Sequence, residues 1–240
     1  MEYVTLIDLH THTIASGHGS TDTINDMAKE AYLRRLHLLG ISDHAPAITG
    51  AARASYFRSL KHAPRRRFHV SLLFGAEINI ISYEGDLDLD EETLSCLDYG
   101  IASLHPPCLK PGSKDENTKS YINAMKNPHV TIIGHPDDSR YPLDYEAIVR
   151  AAKTSHVLLE VNESSLSPAS YRKDAVSCYR ALLPLCVQFQ VPILIGSDSH
   201  GKAHIGDSVY AEKLLAQLHF PDELIANNHP DFLQSYLHVF

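Results

Sequence analysis

Seven short apolar runs alternate with helical patterns along this chain of 240 residues, and the alternation limits the folds open to it. The runs lie at residues 3–7, 38–44, 71–80, 99–104, 130–134, 157–162 and 191–196. Because β-branched and aromatic residues are frequent in them, each run predicts a strand. They are apolar at nearly every position, which indicates that both faces of the sheet are buried. The pattern predicts a parallel α/β sheet.

Helical patterns fill the segments between the predicted strands. We expect helices at about residues 23–39, 51–60, 91–97, 115–125, 144–153 and 169–189, and two or three more within 207–240. Thr23 or Asp22 would cap the first and Gly40 would end it, while Pro184 predicts a kink or a restart in the longest. No linker rich in Pro, Gly or Ser interrupts the sequence. We therefore predict one domain over residues 1–240, a closed or nearly closed (β/α) barrel in preference to an open sheet.

The composition is that of an ordinary globular protein with an acidic balance. The formal net charge is −8, which argues against a general nucleic-acid or anionic-membrane partner. The basic run at residues 65–67 is expected to form a solvated turn. The four cysteines form no Cys-x-x-Cys pair, which predicts reduced thiols. Because we find no signal-peptide pattern and no apolar run of about 20 residues, we expect a cytoplasmic protein.

Histidines and carboxylates follow the predicted strands at the point where each strand ends. His10 and His12 come directly after the first strand, and side chains at i and i+2 point to the same side of a strand. On its own this pair is a weak signal, since His-x-His is common. In a barrel, however, the carboxyl ends of all strands meet on one rim, where active sites lie. The residues predicted for this rim are His10, His12, His18, Asp43, His44, Glu77, His105, His135, Asp198 and His200.

This set of side chains predicts a metal centre with more than one ion. Imidazole and carboxylate groups are ligands of zinc, iron and manganese. One zinc ion takes three or four protein ligands, so the set is too large for a single ion. A carboxylate such as Glu77 could bridge two ions, and two ions about 3.5–4 Å apart can hold a hydroxide for phosphoryl transfer. We therefore expect hydrolysis that needs no serine or cysteine nucleophile.

The same stretches form a series of motifs in a fixed order. They are Asp-Leu-His-Thr-His-Thr at 8–13, Ser-Asp-His at 42–44, Gly-Ala-Glu-Ile-Asn at 75–79, Ser-Leu-His at 103–105, Gly-His-Pro at 134–136 and Gly-Ser-Asp-Ser-His at 196–200. The series resembles the PHP (polymerase and histidinol phosphatase) superfamily, most closely its small stand-alone YcdX-like phosphatases, over essentially the whole chain. The resemblance implies a distorted (β/α)7 barrel. It also implies a phosphoric monoester hydrolase that uses a metal-bridging hydroxide on a small phosphorylated substrate.

The resemblance further implies a trinuclear site with three divalent ions, zinc first and manganese or iron as alternatives. One ion would be held by residues that also carry catalysis, namely His10, His12, Glu77 and Asp198. Glu77 would bridge to a second ion, completed by His105 and His135, and the third would be bound by His18, His44 and His200. Every ligand position of the family pattern is filled. Gly19, where many relatives carry bulkier residues, leaves the shape of the substrate open.

Phosphate binding needs cationic partners in addition to metals. Loops on the predicted rim offer four such side chains, Lys110, Lys114, Arg140 and Lys202. Arg140 and Lys202 follow ligand motifs most closely, and we rank them first as substrate-binding residues. Asp8 and Asp43 are candidates to orient neighbouring imidazoles. Capping of the loop backbone is an equal alternative role for these two carboxylates.

Other functions fit some of the same residues. Histidinol phosphatase is a narrower form of the same activity. A PHP-type nuclease or proofreading exonuclease is a second class, although the net charge of −8 counts against it. Amidohydrolase barrels also begin with His-x-His, but they often use a modified lysine where this chain offers Glu77. A metal-binding protein without activity is the non-enzymatic alternative. We expect a small phosphorylated substrate, no stable nucleic-acid partner and no membrane contact, and leave a homo-oligomer open.

Overall fold

A mostly parallel sheet, nearly closed into a barrel, forms the centre of the computed structural model, which describes residues 7–238. The strands are β1 (Ile7–Asp8), β2 (Thr11–His12), β3 (Leu38–Ile41), β4 (Arg66–Arg67), β5 (Val70–Asn79), β6 (Tyr99–Ser103), β7 (Ile132–Ile133), β8 (Leu158–Asn162), β9 (Ile193–Gly196) and β10 (Ser199–His200). The main sheet has the order β1-β3-β5-β6-β7-β8-β9, with β4 antiparallel to β5, and a separate parallel pair joins β10 to β2. The prediction of an α/β barrel is confirmed.

Helices connect these strands. They are α1 (Ile24–Leu33), α2 (Ala54–Ser59), α3 (Glu91–Leu94), α4 (Lys114–Ala124), α5 (Tyr145–Ser155), α6 (Glu163–Leu166), α7 (Ala175–Phe189), α8 (Val209–Gln217) and α9 (Pro230–Gln234). Their starts follow local capping chemistry. Thr23 accepts from the Asp26 amide while Asp26 accepts from the Thr23 amide, and Ser113 and Glu116 form the same reciprocal box before α4. Short polar segments therefore fix where these helices begin.

Neighbouring residues of the central strands enter different apolar clusters. In β6, Ile101 belongs to a cluster that also contains Leu9 and Tyr99, whereas the next residue, Ala102, packs among residues of α4 and α5. In β7, Ile132 and Ile133 divide in the same way. Because successive side chains point to opposite faces of a strand, the first cluster fills the barrel interior and the second lies under the helices. Both faces of the sheet are therefore buried, as the continuous apolar runs predict.

The barrel closes where its first and last strands meet. β1 and β9 are the two ends of the main sheet, and the Asn227 side chain lies between them. It accepts from the Ile195 amide (2.7 Å) and donates to the carbonyls of Ile195 (2.8 Å) and Ile7 (3.1 Å). Asp8 adds a contact across the same gap by accepting from the Ser197 amide (3.2 Å). We call this boundary, with the β2–β10 pair beyond it, the seam.

The prediction of the first helix is wrong at the C-terminal end. The sequence pattern extends it to residue 39, but α1 ends at Leu33 and Leu38 already pairs with Ile7 and Ser71 in the sheet. Arg35 has a left-handed φ of 65° that breaks the helix. The Arg34 guanidinium is meanwhile held by the Ile205 carbonyl and the Asp207 carboxylate. Tertiary contacts at the end of the helix therefore override local propensity.

Two further predictions need correction. The helix predicted over residues 169–189 begins only at Ala175, after Asp174 in a left-handed conformation, and α7 then runs through Pro184 without restarting. The basic run at 65–67 is no free turn, since β4 pairs with β5 and Arg65 forms an ion pair with buried Asp98. The strand predicted over residues 3–7 lies, apart from Ile7, outside the described residues. Within residues 7–238, no helix has the length and apolar character needed to span a membrane.

Candidate metal centre

The predicted rim residues converge at one end of the barrel. His12 lies in β2, His10 directly precedes it, Glu77 lies in β5 and His200 ends β10. The other side chains lie in loops that follow strands, and these are His18, His44, His105, His135 and Asp198. All are buried except His18, which is exposed, and His200, which is half-buried. Two of them occupy strained backbone, since φ is 29° at His135 and 54° at Asp198. Such strain is typical of functional positions.

The first predicted ligand set is brought together around Glu77 Oε2 and Asp198 Oδ1. His10 Nε2 and His12 Nε2 each lie 3.4 Å from the Glu77 oxygen. They lie 3.7 and 3.2 Å, respectively, from the Asp198 oxygen. Ligand atoms at about 2.0–2.1 Å from a tetrahedral ion are roughly 3.3 Å apart. His10, His12 and Glu77 therefore have the spacing of a shared ion, and Asp198 lies within 3.7 Å of both histidines.

The second set faces the other oxygen of the same carboxylate. Glu77 Oε1 is 2.8 Å from His135 Nε2 and 3.2 Å from His105 Nε2. Its two oxygens thus address different histidine pairs, which is the arrangement that a bridging carboxylate requires.

The third set gathers at the mouth of the site. The ring centroids of His18, His44 and His200 are separated by 4.9 to 5.4 Å. His44 also approaches the centre, because its Nδ1 lies 2.7 Å from Glu77 Oε2. His12 and His200 stack with centroids 4.2 Å apart. The third set is therefore continuous with the other two.

Several nitrogen and oxygen atoms at the centre that could bind a metal ion have no hydrogen-bond partner among the described residues. They are His10 Nε2, His12 Nε2, His44 Nδ1, Glu77 Oε2, His105 Nε2 and His200 Nε2, all buried. A buried polar atom left unpaired costs about 1–3 kcal/mol, so this many in one place indicates a missing partner. Nitrogen and carboxylate oxygen donors suit zinc, iron or manganese. The residues present therefore fit divalent ions.

Glu160 fixes the orientation of His10. Its Oε1 accepts from His10 Nδ1 at 2.6 Å, while Oε2 accepts from the His135 amide at 2.7 Å and from Asn162 Nδ2 at 3.1 Å. The carboxylate is fully buried in β8. Both oxygens accept, so His10 must donate from Nδ1, and in the neutral imidazole the lone pair is then on Nε2, which faces the centre. The sequence interpretation missed Glu160, although a lone acidic residue inside an apolar strand was a usable signal.

Ser16 and Asp43 orient His12 in a similar way. Ser16 Oγ donates to Asp43 Oδ1 at 2.7 Å and therefore accepts from His12 Nδ1 at 3.0 Å. The Asp43 carboxylate also accepts from the Thr13 amide (2.6 Å) and from Tyr56 (2.7 Å). Asp43 thus contacts both loop backbone and, through Ser16, an imidazole. His105 is held by another residue that lacked an assigned role, since its Nδ1 donates to Asn79 Oδ1 at 2.7 Å.

Asp8 contacts backbone and no imidazole. Its carboxylate accepts from the amides of His10 and Ser197, both at 3.2 Å, and from the Gly206 amide at 2.8 Å. This arrangement is the backbone-capping role that the sequence left as an alternative.

The cations ranked first from the sequence are engaged elsewhere. Lys202 is more than half exposed and pairs with Asp22 at 3.1 Å. A cavity lies above the centre, and Arg140 lines it but forms an ion pair with Asp138. The buried Arg172, which the sequence interpretation did not single out, donates to Asp198 Oδ2 at 3.0 Å and lines the same cavity. Arg172 is therefore the cation nearest to the ligand cluster among the three.

Burial and mutual charge set the ionisation of the cluster. Burial and the His200 and His44 imidazoles lower the pKa of His12 well below 6.5, and burial lowers the pKa of His105. Burial opposes the charge of Glu77, but the imidazoles of His105, His44 and His10 outweigh it and hold its pKa well below 4.5. His12 and His105 are therefore neutral beside a charged Glu77, the forms that bind metal ions.

His10 differs from the other imidazoles. Burial opposes its charge, but Glu160, Asp198 and Glu77 together raise its pKa well above 6.5. Without an ion, a proton on His10 balances these carboxylates, and an ion bound at Nε2 would replace that proton.

Comparison with known proteins agrees with this geometry. A protein from Clostridium novyi (strain NT) named "Probable phosphatase" is 40% identical over 237 residues, which cover 99% of this chain and 95% of the relative. Another "Probable phosphatase", from Acetivibrio thermocellus, is 39% identical over 234 residues, 97% of this chain and 95% of the relative. These names agree with the prediction of a phosphatase.

A solved structure shows the same fold. The histidinol phosphate phosphatase of Lactococcus lactis subsp. lactis Il1403, complexed with zinc, L-histidinol and phosphate, superposes with a TM-score of 0.64. The sequences are 17% identical, and the match covers 90% of this chain and 94% of that one. The family model described as "PHP domain" matches residues 8–164. With the ligand motifs, the barrel and close relatives along the whole chain, the protein belongs to the PHP domain family.

Proposed function

We propose that this protein is a metal-dependent phosphatase that hydrolyses a small phosphomonoester at a trinuclear centre. The observation that carries the proposal is the convergence of nine side chains around Glu77, six of which have buried nitrogen or oxygen atoms without a hydrogen-bond partner among the described residues. The names of the close relatives support the reaction class.

The three ligand sets would each hold one divalent ion, with zinc favoured because the donors are mainly imidazole nitrogens. Bound ions would lower the pKa of coordinated water from 15.7 toward about 7 and offset the charge of the phosphoryl group. The chain itself contributes orientation, through the contacts of Glu160, Ser16 and Asn79 with the ligand imidazoles. These contacts place the proton of each neutral imidazole on Nδ1, so that Nε2 would be the atom that binds an ion.

Arg172 adds a fixed positive charge beside the centre. Its guanidinium is held by Asn162, Ser165 and Asp198, at 3.2, 2.9 and 3.0 Å. It faces a cavity of about 690 Å³ that His18, His44 and His105 also line. A guanidinium in this position would attract a phosphate dianion and orient it toward the ligand cluster.

Histidinol phosphatase activity is the second candidate. The Lactococcus lactis enzyme named for this substrate shares the barrel, although at 17% identity the likeness concerns the fold alone. Histidinol phosphate therefore belongs in the first substrate panel beside p-nitrophenyl phosphate.

The test combines metal analysis with turnover. Protein loaded with Zn, Mn, Fe or Co is assayed with p-nitrophenyl phosphate, and bound metal is counted by mass spectrometry. His10→Ala should abolish turnover, whereas His18→Ala, altered at the exposed mouth of the site, should lose one ion of the proposed three. His62→Ala, exposed and remote from the ligand sets, is the matched control and should keep both metal and turnover.

Two results would overturn the proposal. Wild-type protein that binds metal but hydrolyses no phosphomonoester would favour the non-enzymatic alternative. Full metal content in both His10→Ala and His18→Ala would remove the ligand roles assigned to these residues.

A further inference from the structure

A second cavity opens beside the proposed phosphate site. It has a volume of about 610 Å³ and is enclosed by the segment from α6 to Tyr171 and by the chain from β10 to α8. It shares four lining residues with the cavity above the centre, and these are Ser164, Tyr171, Asp198 and His200. Two of the four are proposed ligands. A molecule held at Asp198 and His200 can therefore extend into either cavity.

Tyr171 stands between the two cavities. Its ring lies against the guanidinium groups of Arg140 and Arg172, whose Cζ atoms are 5.5 and 5.2 Å from the ring centroid. Cation–π contacts of this kind hold an aromatic ring in place although it is largely exposed. Both arginines line the cavity above the centre, and neither lines the second cavity. Tyr171 thus separates the cavity above the centre, which the two arginines line, from the second cavity.

The second cavity has the opposite chemistry. Serine and tyrosine hydroxyls dominate its lining, namely Ser164, Ser167, Ser170, Ser197, Ser199, Tyr171 and Tyr210. Its acidic members are Glu163, Asp198 and Asp207, and His200 and His204 are its imidazoles. The residues that line it within the described chain include no lysine or arginine. We call it the hydroxyl cavity.

The carboxylates of the hydroxyl cavity already have partners. Glu163 accepts from the amides of Tyr210 (3.0 Å) and Ala211 (2.8 Å), and Asp207 pairs with Arg34 at 2.7 Å. They are fixed parts of the wall. A second anionic group placed here would lose hydration without gaining a cation, whereas alcohol groups can both donate to and accept from serine and tyrosine.

We propose that the hydroxyl cavity binds the alcohol portion of the substrate, and that it selects phosphomonoesters bearing hydroxyl groups and no second anionic group. This inference rests on the proposed phosphatase function. It assigns the phosphoryl group to the ligand cluster and Arg172, and the leaving alcohol to the far side of Tyr171.

A matched pair of small molecules tests the selection. Glycerol 3-phosphate and 3-phosphoglycerate differ in one terminal group, a hydroxymethyl against a carboxylate. Each is measured as a competitor of p-nitrophenyl phosphate hydrolysis by the metal-loaded wild-type protein. Glycerol 3-phosphate should bind about tenfold more tightly, because only the carboxylate of 3-phosphoglycerate loses its hydration without a lysine or arginine to pair with. Equal or tighter binding of 3-phosphoglycerate would overturn the proposal.

Two lysine substitutions locate the effect. Ala169→Lys adds a cation to the exposed rim of the hydroxyl cavity, and Thr49→Lys adds the same cation to the exposed rim of the other cavity. Ala169→Lys should tighten the binding of 3-phosphoglycerate and reduce the preference for glycerol 3-phosphate over 3-phosphoglycerate at least threefold. Thr49→Lys should leave this ratio of affinities unchanged. A ratio that moves only with Thr49→Lys would place the alcohol in the other cavity and contradict the assignment.

The failure of the underlying function would look different. If p-nitrophenyl phosphate is not hydrolysed with any metal, the phosphatase proposal falls. The selection is then still measurable by calorimetric binding of the same two compounds, and equal affinities there would overturn it independently.

Discussion

His10, His12 and His105 are each held through Nδ1 by a neighbouring side chain. The partners are Glu160, Ser16 and Asn79. A neutral imidazole that donates from Nδ1 keeps its lone pair on Nε2, and Nε2 is the atom that faces the cluster in all three. These three partners thus set which ring nitrogen faces the cluster, and we expect their substitution to weaken metal binding.

Glu160→Gln tests this role with an almost unchanged shape. The carboxylate accepts on both oxygens, from His10 Nδ1 and from the His135 amide. A glutamine would turn an N–H group toward one of these donors and lose that contact. Loss of such a contact should weaken metal affinity about 10–100-fold, as measured by competition with a chelator. Glu146→Gln, on the exposed surface of α5, should bind metal like the wild type, and an unchanged affinity in Glu160→Gln would contradict the orienting role.

The lowered pKa of His12 predicts an effect of pH on stability. In the unfolded chain His12 takes up a proton near pH 6.5, but the folded protein resists that proton. The unfolded state therefore binds more protons as the pH falls, and the contribution of His12 to stability is lost on acidification. Metal-free wild type should lose more unfolding free energy between about pH 7.5 and pH 5.5 than His12→Gln. Urea titrations at both pH values measure this difference, and parallel losses would argue against it.

At the scale of elements, the seam is the least regular part of the barrel. One side chain, Asn227, replaces the ladder that would otherwise join β1 to β9. It lies in a short helical turn after α8, far along the chain from β1. Apart from the contact of Asp8 with the Ser197 amide, closure of this barrel therefore depends on one side-chain amide that binds three backbone groups at once.

Asn227→Ala should weaken the contact between β1 and β9 that closes the barrel. The carbonyl of Ile7 and both polar backbone groups of Ile195 would lose a buried partner, and the unfolding free energy should fall by about 2 kcal/mol or more. Asn228→Ala, at the exposed neighbouring position, is the control and should change stability by less than about 0.5 kcal/mol. Equal stability of the two variants in urea denaturation would show that the seam does not depend on Asn227.

Much of the barrel could be predicted because strand and ligand signals are local. Glu77 lies near the end of an apolar run that corresponds to β5 almost residue for residue, and most of the rim histidines lie at or just after the ends of such runs. Arg172 could not be found in this way. It lies in the irregular segment between α6 and α7, within the stretch predicted as helix, and only its contacts with Asn162 and Asp198 bring it to the centre. The end of α1 escaped prediction for the same reason, since Arg34 is held by residues distant in sequence.

At the scale of the whole molecule, the cluster gathers carboxylates and unpaired imidazoles inside an acidic protein of net charge −8. Such a concentration of buried polar atoms lowers the stability of the metal-free fold. Ions that bind only the folded state would recover it by mass action.

Metal removal should therefore lower the melting temperature. Ions held at about 100 times their dissociation constant add roughly 2.7 kcal/mol, which corresponds to about 5–10 °C for a chain of this size. Calorimetry before and after treatment with a chelator measures the shift, and zinc added back should restore it. His10→Ala should show a smaller shift than wild type, while His62→Ala should match the wild type. Identical melting of wild type with and without chelator would contradict a metal centre.

The seam also has a consequence for how this protein is made. It pairs Thr11 with Ser199 and His12 with His200, residues separated by most of the sequence. During synthesis the first strands leave the ribosome long before their partners exist, and contacts this distant in sequence form slowly. Until residue 200 has been translated, His12 lies on an open edge and has no neighbour in β10. The candidate metal centre therefore becomes complete only after most of the chain has been translated, and a chain interrupted before residue 198 would have a partial barrel without Asp198 and His200.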